Sequence, residues 1–207
     1  MSNYLAVDTS SRYLTVAAKR GEHTAITHIP DCAMAHSVVL MDEIEKTLKE
    51  AELDIGDCDY FVAVTGPGSF TGIRIGVACV KGFAAAQNKR AAGVTVFEMI
   101  SYNVNSDCDY LVAVDAAHGF YYVCGFSSDG SQNFAPAYLS GGELCALNKP
   151  VYGFEELDLK NYTRVKIADC LVPAAERCAD GRENLTALYV RKSQAEEERL
   201  ARTGGAV

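Results

Sequence analysis

The 207-residue sequence predicts an α/β fold built from two related lobes. Short apolar, strand-like runs alternate with segments of helical periodicity, and one plan of residues occurs twice. "YLAVDTSSRYLTVAA" (4–18) and "YLVAVDAAHGFYYVCGF" (110–126) each set an apolar strand, an Asp at its end, a short turn with small residues, and a second strand opening on an aromatic. Val7-Asp8 and Val114-Asp115 mark the same point of each copy, which reads as an internal duplication. A rival alignment sets "CDYFVAV" at 58 on "CDYLVAV" at 108 and has more identities. A glycine loop and helix follow the first of these, however, and a strand the second.

Taken in order, residues 3–30 read as three strands with turns at "SS" and "RGEH". From His36 to Leu53 the residues Val39, Leu40, Glu43, Ile44, Thr47, Leu48 and Ala51 fall on one side of a helix. A strand over Tyr60–Val64, a glycine-rich loop and a helix over about Thr71–Gln87 follow. That helix carries Gly72, Gly76 and Gly82, and each interior Gly costs roughly 0.5–1 kcal/mol against Ala, so close packing is expected there. "AAGVTVFEMISYNV" predicts a strand and a short helix. Past Gly125, "SSDGSQNFAPAYLSGGEL" reads as turn and strand, "VYGF" and "TRVKIA" as short strands, and "LVPAAERCADG" as a helix. The charged end of the chain reads as a solvated tail. The lobes are expected over 1–105 and 106–207.

Composition excludes several classes. A formal charge of −8 argues against unaided binding of a polyanion, which needs a basic surface. The eight cysteines include no C-x-x-C pair, and no two histidines stand three or four apart, so no metal site is expected. No apolar run reaches the roughly 20 residues of a membrane helix, and a cytoplasmic chain with reduced thiols is the expectation.

The loop "GPGSFTG" (66–72) follows a strand and opens a helix, a place where free N–H groups attract phosphate. It lacks the Lys-Ser/Thr of a P-loop, since Ile73 and Arg74 stand there, and its spacing is not G-x-G-x-x-G. A tight turn is the plainer reading: Pro67 fixes φ, the glycines allow positive φ, and Ser69 or Thr71 caps the helix. Asp8 and Asp115 end equivalent strands, where a carboxylate holds either magnesium or its own turn. Ser10, Ser11 and Ser69 have no paired base. No constellation for chemistry emerges, and no cofactor is expected.

"LAVDTS" (5–10), "HSVVLMDEI" (36–44), "GPGSFTGIRIG" (66–76), "VAVDAAHGFYYV" (112–123) and "ALYVRK" (187–192) together resemble the bacterial TsaB family, also called YeaZ. The resemblance implies an actin-like ATPase fold of two duplicated β-β-β-α-β-α lobes, the second one short. It also implies a non-catalytic relative of TsaD, the metal-bearing subunit that transfers threonylcarbamoyl to an adenosine of tRNA. A heterodimer with TsaD, joined by the ATPase TsaE, would follow, with tRNA reached only through the complex and a homodimer open to the isolated chain. Val96 and Ile100 stand where TsaD carries its metal-binding histidines, and they are expected to pack as core. The helices at about 36–52 and 71–87 would then be the pair offered to TsaD. The implied contacts are His36, Val39, Leu40, Glu43, Ser69, Phe70, Thr71, Gly72, Ile73, Arg74, Gly76 and Gly82, with the glycines as points of close helix approach. The chain departs from the family at Ala117 and Phe120, which replace an Arg and commonly a Glu, and at "CAMA" before His36. An independent phosphotransferase or peptidase of the same fold is the competing reading.

Overall fold

The computed structural model describes residues 2–32, 35–181 and 185–190. The first half comprises β1 (Tyr4–Asp8), β2 (Leu14–Arg20), β3 (His23–Ile29), α1 (His36–Glu50), β4 (Tyr60–Val64), α2 (Phe70–Gln87), β5 (Arg90–Val94) and α3 (Val96–Ser101). The second comprises β6 (Tyr110–Asp115), β7 (Phe120–Phe126), β8 (Gln132–Ser140), α4 (Gly141–Ala146), β9 (Val151–Gly153), β10 (Tyr162–Arg164) and α5 (Leu171–Arg177).

The duplication is plain in the strand orders, β3-β2-β1-β4-β5 and β8-β7-β6-β9-β10. In both sheets the first strand pairs antiparallel with the second and parallel with the fourth. β4 therefore takes the place of β9, not of β6, which disposes of the rival alignment of the two "CDY" segments.

Alternation along the central strands builds two layers. Leu5, Val7, Phe61 and Ala63 pack beneath α1 and α2. Their neighbours Tyr4, Ala6, Tyr60 and Val62 face a second core, shared with α3, α5 and the strand β6. β1 and β4 are buried on both faces, as their unbroken apolar runs predict.

Three local features differ from the sequence reading. α1 stops at Glu50 rather than Leu53: Glu52 takes a φ of 52°, and Leu53 N–H donates to Leu48 O at 2.9 Å. This is the left-handed helix stop usually marked by glycine, here formed by a Glu. The stretch "GGELCA" is helical, because Ser140 and Glu143 form a reciprocal capping box that outweighs the two glycines. Finally, no helix joins β9 to β10, where the first lobe has α2, so the second sheet's outer face carries only a small cluster around Leu111, Val123 and Leu144.

The last described segments return to the first sheet. Tyr60 Oη donates to Ala175 O on α5 at 3.1 Å, and Leu188 N–H donates to Thr65 O at 2.8 Å. The expected solvated tail beyond Val190 lies outside the described residues.

Candidate partner-docking face

α1 presents two apolar stripes, and only one is used by the fold. Leu40, Ile44 and Leu48 are buried against the first sheet, and full burial of each such side chain contributes about 1.5–3 kcal/mol. His36 is buried with them, its Nε2–H donating to Tyr13 O at 2.9 Å. The second stripe lies in solvent: Val38 is 75% and Met41 53% exposed. Beside it, α2 shows a flat row of small residues, Ala78, Gly82, Ala85 and Ala86, all exposed. The Cys79 thiol lies 4.0 Å from the Met41 sulfur, so the two exposed strips are adjacent.

The loop before α2 is a rigid turn. Gly66 and Gly68 take φ of 102° and 153°, and Ser69 caps the helix by accepting from Gly72 N–H at 3.2 Å. Ser69 N–H donates to Ser10 O at 2.6 Å, and a Cβ on Gly68 would strike that same oxygen. A Cβ on Gly72 would strike Thr9 O, and one on Gly76 would stand 2.5 Å from Thr9 Oγ1. Thr9 Oγ1 in turn donates to Gly72 O at 2.7 Å. These glycines admit the chain's own β1–β2 turn.

Of the contacts expected for a partner, His36, Leu40, Gly72, Ile73 and Gly76 are buried in the chain's own fold. The helical stripe with the strongest apolar signal is the one the chain needs for itself. Ser69, Thr71, Arg74 and Gly82 are exposed, and Val39, Glu43 and Phe70 half-buried. Glu43 lies 3.6 Å from Lys46 in an ion pair. Val38 and Met41, outside the expected contacts, stand exposed at i, i+3 off the main stripe. Tyr189, from the "ALYVRK" stretch, packs beside the loop before α2. Its ring packs 4.9 Å from Phe70, the Arg74 guanidinium sits 3.7 Å over Phe70, and Arg74 Nε–H donates to Tyr189 Oη at 3.2 Å.

The cleft between the lobes is built mainly from turns that satisfy themselves. Asp8 Oδ1 accepts from Ser10 N–H at 2.9 Å, and Asp115 Oδ1 from Ala117 N–H at 3.0 Å. Both aspartates hold their own turns, the plainer of the two sequence readings. Asp8 is buried and also accepts from Tyr13 Oη at 2.6 Å; burial pushes its carboxyl up from the ordinary range. Glu155 accepts from Asp115 N–H at 2.6 Å, and burial, with Asp115 nearby, pushes it up to about 7. Phe120 stacks on Tyr138 at 4.8 Å, a packing role for the residue that departs from the family's Glu. Val96 and Ile100 are fully buried in the shared core, as expected for aliphatic side chains. Among the described residues, no three His, Cys, Asp or Glu side chains stand close enough together to hold a metal ion. Nor is any described helix long and apolar enough to cross a membrane. None of the eight cysteines stands in a disulfide, and burial pushes Cys58, Cys124 and Cys170 up to about 12.

A family model described as TsaD, tRNA N6-adenosine threonylcarbamoyltransferase, matches residues 29–168, more than half of the chain. The chain belongs to this family. Its curated relatives include proteins named TsaB, and the chain is of the TsaB (YeaZ) kind. The tRNA threonylcarbamoyladenosine biosynthesis protein TsaB of Bacillus subtilis is 31% identical over 48% of this chain and 43% of that one. TsaB of Escherichia coli is 27% identical over 60% and 55% of the two chains. The match spans about half the length of these curated relatives. YeaZ from Pseudomonas aeruginosa has the same fold, with a TM-score of 0.73 over 91% of this chain and 100% of that one, at 20% identity. A second Pseudomonas aeruginosa structure, described as similar to peptidase YeaZ, superposes with a TM-score of 0.76 over 92% and 100%, at 21% identity. The architecture is thus the actin-like ATPase fold of TsaB, in two duplicated lobes.

Proposed function

We propose that this TsaB-type chain is a non-catalytic scaffold subunit of the bacterial assembly that forms N6-threonylcarbamoyladenosine in tRNA. It binds and activates TsaD through the exposed side of α1 and α2 and helps recruit TsaE. The names of the relatives supply the pathway, and the observation that carries the docking role is the unused apolar strip. Val38 and Met41 stand in solvent, 75% and 53% exposed, beside a flat row of small residues. An apolar strip at the edge of a flat helix row is the surface on which two further helices pack closely. Aliphatic Val96 and Ile100 support the absence of chemistry, because neither ligates a metal. The net charge of −8 supports a tRNA contact made through the complex rather than by this chain alone.

Reconstitution tests the reading. Threonylcarbamoyladenosine formation by TsaD and TsaE is expected to depend on this chain and to fall by at least about tenfold with Val38→Lys, a placement that sets an unpaired charge in an apolar contact. Full modification without the chain, or substrate turnover by the chain alone, contradicts it.

A further inference from the structure

We propose that β3 is a self-pairing edge, along which a second copy of this chain adds antiparallel to make one continuous sheet across two first lobes. The proposal goes beyond the docking reading and concerns a different surface. α1 packs over β2 and β3 and α2 over β1 and β4, so the strip of Val38 and Met41, beside Cys79 of α2, faces away from β3. Among the described residues β3 pairs with β2 alone, in unbroken register from Arg20↔His23 to Leu14↔Ile29. Only Gly21 and Glu22 join the two strands, and a two-residue turn makes its closing pair, Arg20 and His23, a hydrogen-bonded one. Alternation then commits the main-chain groups of Ala25, Thr27 and Ile29 to β2 and turns those of Thr24, Ile26 and His28 outward. Among the described residues no main-chain bond takes up these outward groups.

An open edge of this kind is a template for pairing, which proteins blunt with proline, charge, bulges or short strands. The other edges of this molecule carry those devices. β10 has three residues, β5 opens on Arg90, and β8 holds Pro136 and shifts register against β7 around Gly125. β3 runs seven residues, "HTAITHI", with no proline, no shift and no Lys, Arg, Asp or Glu. Its pattern also fits its own copy. Outward groups stand on every second residue, so a twofold axis through Ile26 sets Ile26 on its counterpart and Thr24 on the counterpart of His28. Each facing pair exchanges two N–H···O bonds, about six in all. Ile26, an apolar side chain 43% exposed, is then covered by another β-branched side chain, a favourable cross-strand pair. A charged strand finds no opposite charge on this edge, whereas a second copy brings the same uncharged, β-branched residues in a closed twofold contact. The net charge of −8 opposes association from elsewhere on the surface, and salt screens it.

The test uses the full chain alone. Sedimentation equilibrium is expected to show the average mass climbing toward twice that of the chain between about 5 and 200 μM. Amide exchange read by NMR across the same range is expected to slow at Thr24, Ile26 and His28 and to stay unchanged at Ala25 and Thr27, whose N–H groups already bond β2. Two variants, each checked for folding by circular dichroism, probe the edge. Ile26→Lys sets like charges across the axis, and Thr24→Pro removes an outward donor at a place where an edge strand tolerates proline. Each is expected to weaken self-association by at least about tenfold, while Val38→Lys on the helix face leaves it intact. A chain that stays monomeric throughout the range overturns the proposal. So does a dimer that both edge variants leave undiminished, one lost only on Val38→Lys, or one that forms without slowing exchange at the three outward amides.

Discussion

Gly76 and Gly82 lie on one helix and are indistinguishable in the sequence, yet they have opposite surroundings. A Cβ at Gly76 meets Thr9 Oγ1 at 2.5 Å, while one at Gly82 meets nothing within 4 Å. Gly76→Ala is expected to destabilise the fold by roughly 1–3 kcal/mol through overpacking. Gly82→Ala is expected to stabilise it by about 0.5–1 kcal/mol through helix propensity. Urea denaturation reads both, and equal effects would contradict this account. Glu155 makes a second residue-scale prediction. Burial holds its folded pKa near 7, above the ordinary carboxylate value of 4.5, so the folded state binds the extra proton between those limits. Stability is therefore fully present below about pH 4.5 and declines as pH rises through 7. Glu155→Gln should flatten that decline in a melting-temperature profile, and an unchanged slope would show that Glu155 does not cause it.

The elements themselves were largely legible. The loop turn, the Ser69 cap and β4 fall where glycine, proline and apolar runs place them. What could not be read was which side of a helix the fold would keep. In α1 the main stripe of Leu40, Ile44 and Leu48 is the chain's own core, and the strip left in solvent is the weaker one of Val38 and Met41. Periodicity finds an apolar face and does not say whose face covers it. The strap over residues 185–190 was equally hidden, since its partners Phe70 and Arg74 stand more than a hundred residues away. A double-mutant cycle on Arg74→Ala and Tyr189→Ala should return a coupling of about 0.5–1.5 kcal/mol, the range for the one hydrogen bond that joins them. Strict additivity would mean that the strap does not brace the start of α2.

At the scale of the molecule, duplication explains both what is present and what is missing. The two sheets share one strand order, but only the first lobe keeps its long helix pair. The repeated Val-Asp plan revealed the copies. The absent helix between β9 and β10 was foreshadowed only by a shortage of sequence. The large face left exposed on the first lobe is the one the scaffold reading assigns to TsaD. Light scattering on an equimolar mixture with TsaD tests that assignment most directly. The account predicts a single species with the summed mass, lost on Val38→Lys combined with Gly82→Leu while the variant alone melts near the parent temperature. A complex that survives the double change undiminished would contradict it.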